Sequence, residues 1–364
     1  MKSYNHLYEK FLSEENIDEA IKNVCRHKTT RTKFKDLHDN PEKYKPWIRK
    51  SAANFKNGEH TPLEIYDGIQ RKKRTIIVPS FREQIVHHMA VNVLKPIFMR
   101  PMYEHSYGSI PGRGAHLAKK RIKKVISKGG RDIKYVLKMD VRKYFDSIPH
   151  DIIKAKLARL IRDEKFLAIL YEIIDVTDKG IPLGFYTSQW FANWYLTNLD
   201  HYIKEVLRVK HYFRYMDDMV IFGSNKKRLH QVRRDIEAEL AKLGLEMKGD
   251  WQIFRFENNG RYRFLDFMGF RFYRNRITLR RSIFYKACRK ARKISQKDKA
   301  TLFDARQMLS YLGWLDATDT YGAYMQYIKP YVCFRRLKKR IANYDRRLAH
   351  DISEGTRNTG RKTT

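Results

Sequence analysis

Two adjacent acids stand in the middle of an apolar and aromatic run, His211-Tyr-Phe-Arg-Tyr-Met-Asp-Asp-Met-Val-Ile-Phe-Gly223. The run predicts a strand, a two-residue turn and a second strand, with Asp217 and Asp218 at the tip. Two carboxylates about 4 Å apart repel each other by roughly 4 kcal/mol at an effective dielectric near 20. A Mg²⁺ ion, which prefers carboxylate and phosphate oxygens, removes that cost. From these residues alone, the alternative is a solvated Asp pair in an ordinary turn.

A third acid follows another predicted strand, because Tyr135-Val-Leu-Lys-Met leads directly into Asp140. Two-metal sites hold ions about 3.5–4 Å apart, one on the attacking oxygen and one on the leaving oxygen. An acid at a strand end and an acid pair on a nearby hairpin supply the ligands for such ions. The sequence therefore predicts a phosphoryl-transfer site with Asp140, Asp217 and Asp218 as catalytic residues and metal ligands.

The charge balance indicates a polyanionic partner. The 364 residues include 76 Lys and Arg against 40 Asp and Glu, which gives a net charge of +36 and a pI near 10.0. Nucleic acid is the simplest partner for such an excess. No run of about 18 apolar residues suggests a membrane span, and the polar N-terminal stretch predicts no secretory signal. The three cysteines (Cys25, Cys288, Cys333) show no CxxC spacing, so we expect neither a zinc site nor disulfides, and a cytoplasmic location.

Apolar periodicity predicts the remaining elements. Residues 3–27 and 81–98 have helical spacing, and the chain from 282 onward is helical and strongly basic. Residues 28–60 are expected to be irregular, and the basic run Arg71–Arg74 to be a turn before a short strand. Further strands are predicted at 134–140, 211–216, 219–223, 252–257 and 269–273. A mixed α/β (α+β) fold follows.

Seven blocks, in one order from about residue 70 to 315, give the chain its resemblance to a known family. They are Arg74-Thr-Ile-Ile-Val-Pro79 with the following Phe81-Arg-Glu-Gln, Tyr107–Ala115, Met139–Asp146, Gly180–Gln189, Tyr215–Asp218, Phe267–Phe272 and Ser310–Trp314. In these blocks the chain resembles a reverse transcriptase. The resemblance implies a right-hand polymerase with a helical basic extension (1–60), fingers with part of the palm (61–130), palm (131–280), helical basic thumb (281–350) and disordered tail (351–364).

The resemblance also implies roles for residues around the three acids. Val141 would offer its backbone amide to the nucleotide phosphates and lie at the metal site, and Phe145 would act as a steric gate that rejects ribonucleotides. Lys73 and Arg74 would clamp the triphosphate; the alternative is that they belong to a solvated basic turn. The implied cofactors are two Mg²⁺ ions, with Mn²⁺ as a substitute.

One block points to a subfamily. Most reverse transcriptases have Gln before the Gly and Ser-Pro at the end of this motif, whereas this chain has Leu183-Gly184 and Ser188-Gln189. That form resembles the enzymes of diversity-generating retroelements, which copy a template RNA into cDNA with frequent errors opposite adenine. Leu183, Gly184 and Gln189 would then line the nucleotide pocket. A Leu packs but cannot hydrogen-bond, which weakens selection between nucleotides; the alternative is that Leu183 is a core residue.

The resemblance implies several partners: a template RNA, the RNA/DNA duplex, deoxynucleoside triphosphates and a small, basic, oligomeric accessory protein (the accessory variability determinant). No membrane partner is expected, and the source would be bacterial or phage. Two other functions stay open at this point. One is a reverse transcriptase of a retron or phage-defence system, and the other is a non-catalytic RNA-binding scaffold.

Overall fold

The computed structural model describes residues 3–28, 31–67, 72–258 and 260–359. They fall into two units, one ending at Arg255 and one beginning at Phe256. The first unit contains α1 (Leu7–Phe11), α2 (Glu14–Cys25), α3 (Thr32–Asp39), α4 (Pro41–Ala53), β1 (Pro62–Asp67), β2 (Lys72–Ile77), α5 (Phe81–Met99), α6 (Ala115–Lys128), β3 (Tyr135–Met139), α7 (Tyr144–Ser147), α8 (His150–Leu160), α9 (Glu164–Ile174), α10 (Tyr186–Tyr195), α11 (Thr197–His201), β4 (His211–Tyr215), β5 (Asp218–Gly223), α12 (Lys226–Lys242) and β6 (Gln252–Arg255). The second contains β7 (Leu265–Phe267), β8 (Phe270–Phe272), β9 (Ile277–Leu279), α13 (Arg281–Ser295), α14 (Leu302–Asp316), α15 (Tyr321–Tyr327) and α16 (Phe334–Thr359).

An antiparallel sheet of order β4-β5-β3-β6 is the frame of the first unit. Its two central strands, β3 and β5, are apolar along most of their length because they are buried on both faces. Helix α12 packs against β3, β5 and β6. The strands predicted at 134–140, 211–216, 219–223 and 252–257 are confirmed within one or two residues, and so is the mixed α/β class with antiparallel sheets.

The N-terminal region is more helical than the sequence predicts. The expected helix over 3–27 is two helices, because Ser13 breaks the run and its hydroxyl accepts a hydrogen bond from the backbone N–H of Asn16 at the start of α2. The prediction of irregular structure over 28–60 is wrong, since α3 and α4 occupy much of it. Pro41 stands at the first turn of α4, where proline is favourable. Burial of Phe34 and Ile48 against the core stabilises both helices.

The basic run at 71–74 is also different from the prediction. Strand β2 begins at Lys72 and pairs antiparallel with β1, so the run belongs mostly to a strand and not to a turn. Arg71 lies outside the described residues. Cross-strand charge pairing supports this strand, since Lys73 Nζ lies 2.6 Å from Glu64 Oε1.

The second unit builds its own core. Its sheet has the order β7-β8-β9, and β7 and β8 are joined by Met268 and Gly269, both with positive φ (51° and 87°). Trp314 of α14 packs on Phe270, with ring centroids 5.0 Å apart. The strand predicted at 269–273 and the helical chain from 282 onward are confirmed.

At its C-terminal end, the chain is more regular than the sequence predicts. Helix α16 extends to Thr359, whereas the sequence predicts a disordered tail over 351–364; residues 360–364 lie outside the described residues. Apolar residues continue at helical spacing through Leu348 and Ile352. The assignment of fingers, palm and thumb with their boundaries stays a prediction. Within the part of the chain that the structure describes, no helix has the length and apolarity that a membrane crossing requires.

Glu83 joins the start of α5 to the chain that precedes β1. Its carboxylate is fully buried and accepts hydrogen bonds from the backbone N–H groups of Ser80 (2.6 Å) and Gly58 (2.8 Å), with His60 Nε2 at 3.0 Å. Ser80 in turn caps the helix, which completes a capping box. Burial raises the pKa of Glu83, but the hydrogen bonds from Gly58 and Ser80 outweigh it and lower the pKa to about 2.

Replacing this carboxylate is expected to destabilise the first unit. In Glu83→Gln, one carboxylate oxygen becomes an NH₂ group that faces a backbone N–H and cannot accept its hydrogen bond. The free energy of unfolding at pH 7 should therefore fall by about 2 kcal/mol. The ionised carboxylate stabilises the fold above pH 4.5, and this contribution is lost as the pH falls from 4.5 towards 2. Denaturant unfolding at pH 7, 4 and 3 should therefore show that the difference in the free energy of unfolding between wild type and Glu83→Gln becomes smaller as the pH falls. Glu164→Gln, an exposed acid in the first turn of α9, is the control and should change little.

Candidate active site

The register of the sheet places the three acids at one end of it. Strand β3 ends at Met139, which pairs with Met219 of β5, and Asp140 is the next residue along β3. On the other side of β5, Tyr215 pairs with Asp218 across the hairpin. Antiparallel neighbours lie about 5 Å apart, so Asp140 reaches the hairpin turn that carries Asp217.

Asp140 and Asp217 are in direct contact. The pKa of Asp217 is raised from 3.8 to about 7, and burial of its side chain is the largest cause. The charge of Asp140 and a hydrogen bond between the two side chains add to this effect, and the charge of Asp218 contributes less. Burial and the neighbouring carboxylate therefore favour the protonated form of Asp217. Asp218 points towards β3, where Lys138 Nζ lies 3.6 Å from Asp218 Oδ2.

These acids fit a hard divalent cation. Asp140 Oδ1 is buried and has no hydrogen-bond partner among the described residues, so an acceptor oxygen is left for an ion. A cation also relieves the repulsion that raises the pKa of Asp217. Within the described part of the chain, however, no three His, Cys, Asp or Glu side chains form a complete ligand cluster. Asp140 and Asp217 are thus the pair that would hold an ion, with Asp218 beside them.

Val141 follows Asp140 and is buried by a bridge to the segment after α12. The backbone N–H of Lys248 donates to the carbonyl of Asp140 (2.8 Å), and Val141 bridges Met247. The Val141 side chain is 2% exposed. Any contact that Val141 makes with a substrate therefore comes from its backbone.

Phe145, the residue predicted as a steric gate, lies in α7 with its ring half-buried. Its carbonyl accepts a hydrogen bond from the N–H of Ile181 (2.8 Å). Gly180 makes that approach possible, because its φ is +77° and an added Cβ would lie 2.6 Å from the Phe145 carbonyl oxygen. Buried Tyr144 donates its hydroxyl to the carbonyl of Ala192 in α10 (2.6 Å). Helix α7 is thereby joined to both ends of the segment 180–192.

The segment before α10 is also docked on β2. The N–H of Ile77 donates to the carbonyl of Leu183 (2.8 Å). Gly184 has φ +109°, and a Cβ there would lie 2.2 Å from the Ile77 carbonyl oxygen, so a side chain does not fit. The side chains of Leu183 and Gln189 are half-buried. Leu183 is thus a partly exposed residue at a junction and not a fully buried core residue.

Lys73 and Arg74 lie on β2, the strand that receives this segment. Lys73 is exposed and pairs with Glu64, while Arg74 is half-buried and lies opposite Ile65 in the β1–β2 register. The structure therefore connects these two cations to Leu183 through β2. Their contact with a triphosphate stays a prediction.

A buried ion pair that was not predicted from the sequence lies next to the acidic turn. Arg214 and Asp200 are both 0% exposed and form two hydrogen bonds, of 2.8 and 2.6 Å. Burial lowers the pKa of Arg214, but the paired carboxylate of Asp200 raises it further, so the net direction is upward. The signal was an Arg inside the apolar run Tyr212-Phe-Arg-Tyr215, since charged residues are almost never fully buried unless paired.

A family model described as reverse transcriptase (RNA-dependent DNA polymerase) matches residues 56–262, which is more than half of the chain. The matched range includes Asp140 and the Asp217–Asp218 turn.

Curated relatives are identical to this chain at about a quarter of the aligned positions. Protein YkfC of Escherichia coli K12 is 28% identical over 145 residues (37% of this chain, 38% of the relative). The group II intron-encoded protein LtrA of Lactococcus lactis is 25% identical over 221 residues (56% and 36%). The retron Ec73 reverse transcriptase of Escherichia coli is 23% identical over 197 residues (50% and 60%). In each case, the match covers less than two thirds of the relative's length.

Among solved structures, apo telomerase from Candida tropicalis is similar with a TM-score of 0.47 and 15% identity, over 64% of this chain and 58% of that one. Telomerase from Candida albicans in complex with an RNA fragment is similar with a TM-score of 0.45 and 14% identity, over 83% of this chain and 63% of that one. Scores below 0.5 support no argument about function.

Removing one charge from the acid pair is expected to stabilise the metal-free protein. The pKa of Asp217 is raised from 3.8 to about 7, so its ionisation costs folding free energy as the pH rises from about 4 to 7. Asp217→Asn should therefore raise the free energy of unfolding at pH 8 by about 1–3 kcal/mol. Thermal unfolding in EDTA at pH 5 and pH 8 measures this, and the gain should be larger at pH 8. Asp250→Asn, an exposed acid paired with Lys248, is the control; equal stability of Asp217→Asn and wild type at pH 8 would contradict the prediction.

Proposed function

This chain belongs to the reverse transcriptase (RNA-dependent DNA polymerase) family, and we propose on that basis that it synthesises DNA on an RNA template. The observation that carries the proposal is the contact of Asp140 with Asp217 at one end of the central sheet. A bound cation offsets the repulsion between two neighbouring carboxylates, so such a pair is typical of a cation-binding site. The matched family performs a reaction that needs such a site.

The proposed reaction joins a primer 3′-hydroxyl to the α-phosphorus of a deoxynucleoside triphosphate and releases pyrophosphate. Asp140, Asp217 and Asp218 would hold two divalent ions, Mg²⁺ or Mn²⁺. When bound, these ions lower the pKa of the attacking hydroxyl and neutralise charge on the leaving group. Catalysis of this kind depends mostly on positioning and electrostatics. The rigid register between β3 and β5 supplies the positioning.

Nucleotide binding would use residues around the acids. The backbone of Val141 meets the phosphates, and Lys73 and Arg74 add positive charge at the triphosphate. The ring of Phe145 crowds the sugar at C2′ and excludes ribonucleotides. The hydrogen bond from the Ile181 N–H to the Phe145 carbonyl joins α7 to the segment that contains Leu183. The residues proposed to contact the sugar and the base are therefore held in one arrangement.

We further infer that the enzyme belongs to a diversity-generating retroelement and makes errors opposite template adenine. Leu183-Gly184 and Ser188-Gln189 support this subtype, because a Leu at this junction offers no hydrogen bond to the incoming nucleotide. Loss of a polar contact lowers discrimination, and a change of about 1.4 kcal/mol alters an error ratio tenfold. The half-buried Leu183 side chain is consistent with a residue that contacts substrate.

A retron or phage-defence reverse transcriptase is the second candidate. The similarity to the retron Ec73 enzyme, at 23% identity over half of this chain, favours it. A genomic test separates the two, since a diversity-generating element has a template repeat and a near-identical variable repeat beside the polymerase gene.

The net charge of +36 supports binding of template RNA and of the RNA/DNA duplex. Under the diversity-generating proposal, a small, basic, oligomeric accessory protein joins this complex. Two basic proteins can share one assembly when the RNA neutralises both.

The catalytic assignment predicts a separation of synthesis from RNA binding. Asp217→Ala with Asp218→Ala should abolish nucleotide incorporation, because the cation site is lost. RNA affinity should stay within about twofold, because the lost residues are acidic and do not neutralise phosphates. Primer extension and filter binding on one RNA measure both quantities. Asp235→Ala with Asp250→Ala, two acids of α12 and the following loop, is the matched control; synthesis that survives the first pair would refute the assignment.

The subtype predicts an effect at a single position. Leu183→Gln restores a hydrogen-bonding side chain, so misincorporation opposite template adenine should fall by roughly tenfold for each 1.4 kcal/mol gained. Sequencing of cDNA made from a defined RNA, scored by template base, measures this ratio. Leu183→Met keeps the volume without the amide and should keep the wild-type error pattern. An unchanged adenine error rate in Leu183→Gln would rule out a role for this residue in fidelity.

A further inference from the structure

Arg214 lies in β4, three residues before Asp217, with its side chain completely buried. All five guanidinium N–H donors have acceptors within hydrogen-bond distance. Two reach Asp200, from Nε to Oδ1 (2.8 Å) and from Nη2 to Oδ2 (2.6 Å). Two reach Asn193, at its carbonyl (3.2 Å) and its side-chain oxygen (3.5 Å). The fifth runs from Nη1 to the carbonyl of Met216 (3.0 Å).

The carbonyl of Met216 belongs to the peptide group that leads directly into Asp217. Met216 has a left-handed φ of 57°, which costs free energy for a residue with a side chain. The hydrogen bond from Arg214 holds the peptide group between Met216 and Asp217 in one orientation. It therefore fixes the direction in which the Asp217 side chain leaves the turn towards Asp140.

The other side of Met216 is packed just as closely. A Cβ on Gly108 would lie 2.4 Å from Met216 Cγ and 2.9 Å from its backbone nitrogen. The Gly108 carbonyl accepts a hydrogen bond from Asn193 Nδ2 (2.7 Å), so the same Asn contacts both Arg214 and Gly108. Met216 is thus held by close packing against the Gly108 backbone and by the hydrogen bond from the Arg214 guanidinium.

Stability alone explains this arrangement poorly. Replacing a buried ion pair with apolar residues of similar volume is often neutral or stabilising. A planar guanidinium does supply directed bonds in a fixed fork, which apolar packing cannot supply. The hydroxyl of Tyr212 adds a third bond to Asp200 (2.7 Å), so the carboxylate that holds Arg214 is itself fixed.

We propose that Arg214, held by Asp200 and Asn193, is a positioning residue that sets the Met216 carbonyl and thereby the placement of Asp217 against Asp140. Its side chain is completely buried, so its effect on the reaction passes through Met216 and Asp217. The inference rests on the proposed polymerase function for its kinetic readout, but not for its structural readout. A displacement of about 1 Å at reacting groups lowers a rate by about 100-fold.

The first test is Arg214→Lys, which keeps the charge beside Asp200 and lacks the fork that reaches Met216. In primer extension with saturating Mg²⁺, kcat should fall by about 100-fold, while KM for the nucleotide and affinity for an RNA/DNA duplex stay within twofold. In metal-free protein, hydrogen–deuterium exchange of the peptide 211–223 should become faster at the turn. Lys156→Met is the matched control, because Lys156 is a half-buried cation of the same unit whose hydrogen bond goes to the carbonyl of Tyr195 in α10 (2.6 Å) and not to the turn. It should leave kcat and turn exchange unchanged.

Gly108→Ala is the second variant, since it disturbs Met216 from the opposite side and leaves the ion pair in place. It should reproduce the loss of kcat and the faster exchange, and it decides the matter if Arg214→Lys does not fold. The proposal is overturned if either folded variant keeps wild-type kcat and turn exchange, or if kcat falls only in proportion to the folded fraction. If wild-type protein makes no DNA on an RNA template, the polymerase proposal fails, and the exchange data of the two variants still decide the positioning role.

Discussion

The first unit is organised around two carboxyl groups that repel each other when ionised. Asp140 and Asp217 are in contact although burial and mutual charge raise the pKa of Asp217 to about 7. Their mutual repulsion by itself favours separation. Their contact persists because the β3–β5 register and the turn at Met216 leave neither residue another position.

The surroundings show how such a costly arrangement is maintained. Side chains alternate between the two faces of a strand, so a one-residue slip of β3 against β5 would move every side chain to the opposite face. Behind the turn, Arg214 and Asp200 join β4 to α11 with bonds of fixed direction. Elsewhere in the unit, glycines at 180 and 184 allow the backbones of Phe145 and Ile77 to approach where a side chain would collide. The stability gained in the frame offsets the cost at the acids, as is common where strain serves function.

The electrostatics of the chain act on two length scales. At long range, the net charge of +36 attracts polyanions, and salt screens it within about 10 Å at 0.1 M. At short range, Asp140, Asp217 and Asp218 form an acidic site that needs positive charge. Lys138, 3.6 Å from Asp218, supplies part of that charge from the protein itself. A polyanion and a divalent cation therefore suit different parts of the same molecule.

The residues themselves determined the elements with strong periodicity and the site with an unusual composition. The hairpin around Asp217, strand β3 before Asp140 and helix α5 follow from local patterns, because apolar alternation and a capping box act within a few residues. Helices α3 and α4 did not follow, since their formation depends on burial of Phe34 and Ile48 against distant parts of the chain. Only the tertiary structure decided that Arg214 meets Asp200 and Met216, that Leu183 docks on Ile77, and that Asp140 touches Asp217. These contacts join segments up to 106 residues apart along the chain (183 minus 77), and spacing along a sequence gives no measure of such proximity.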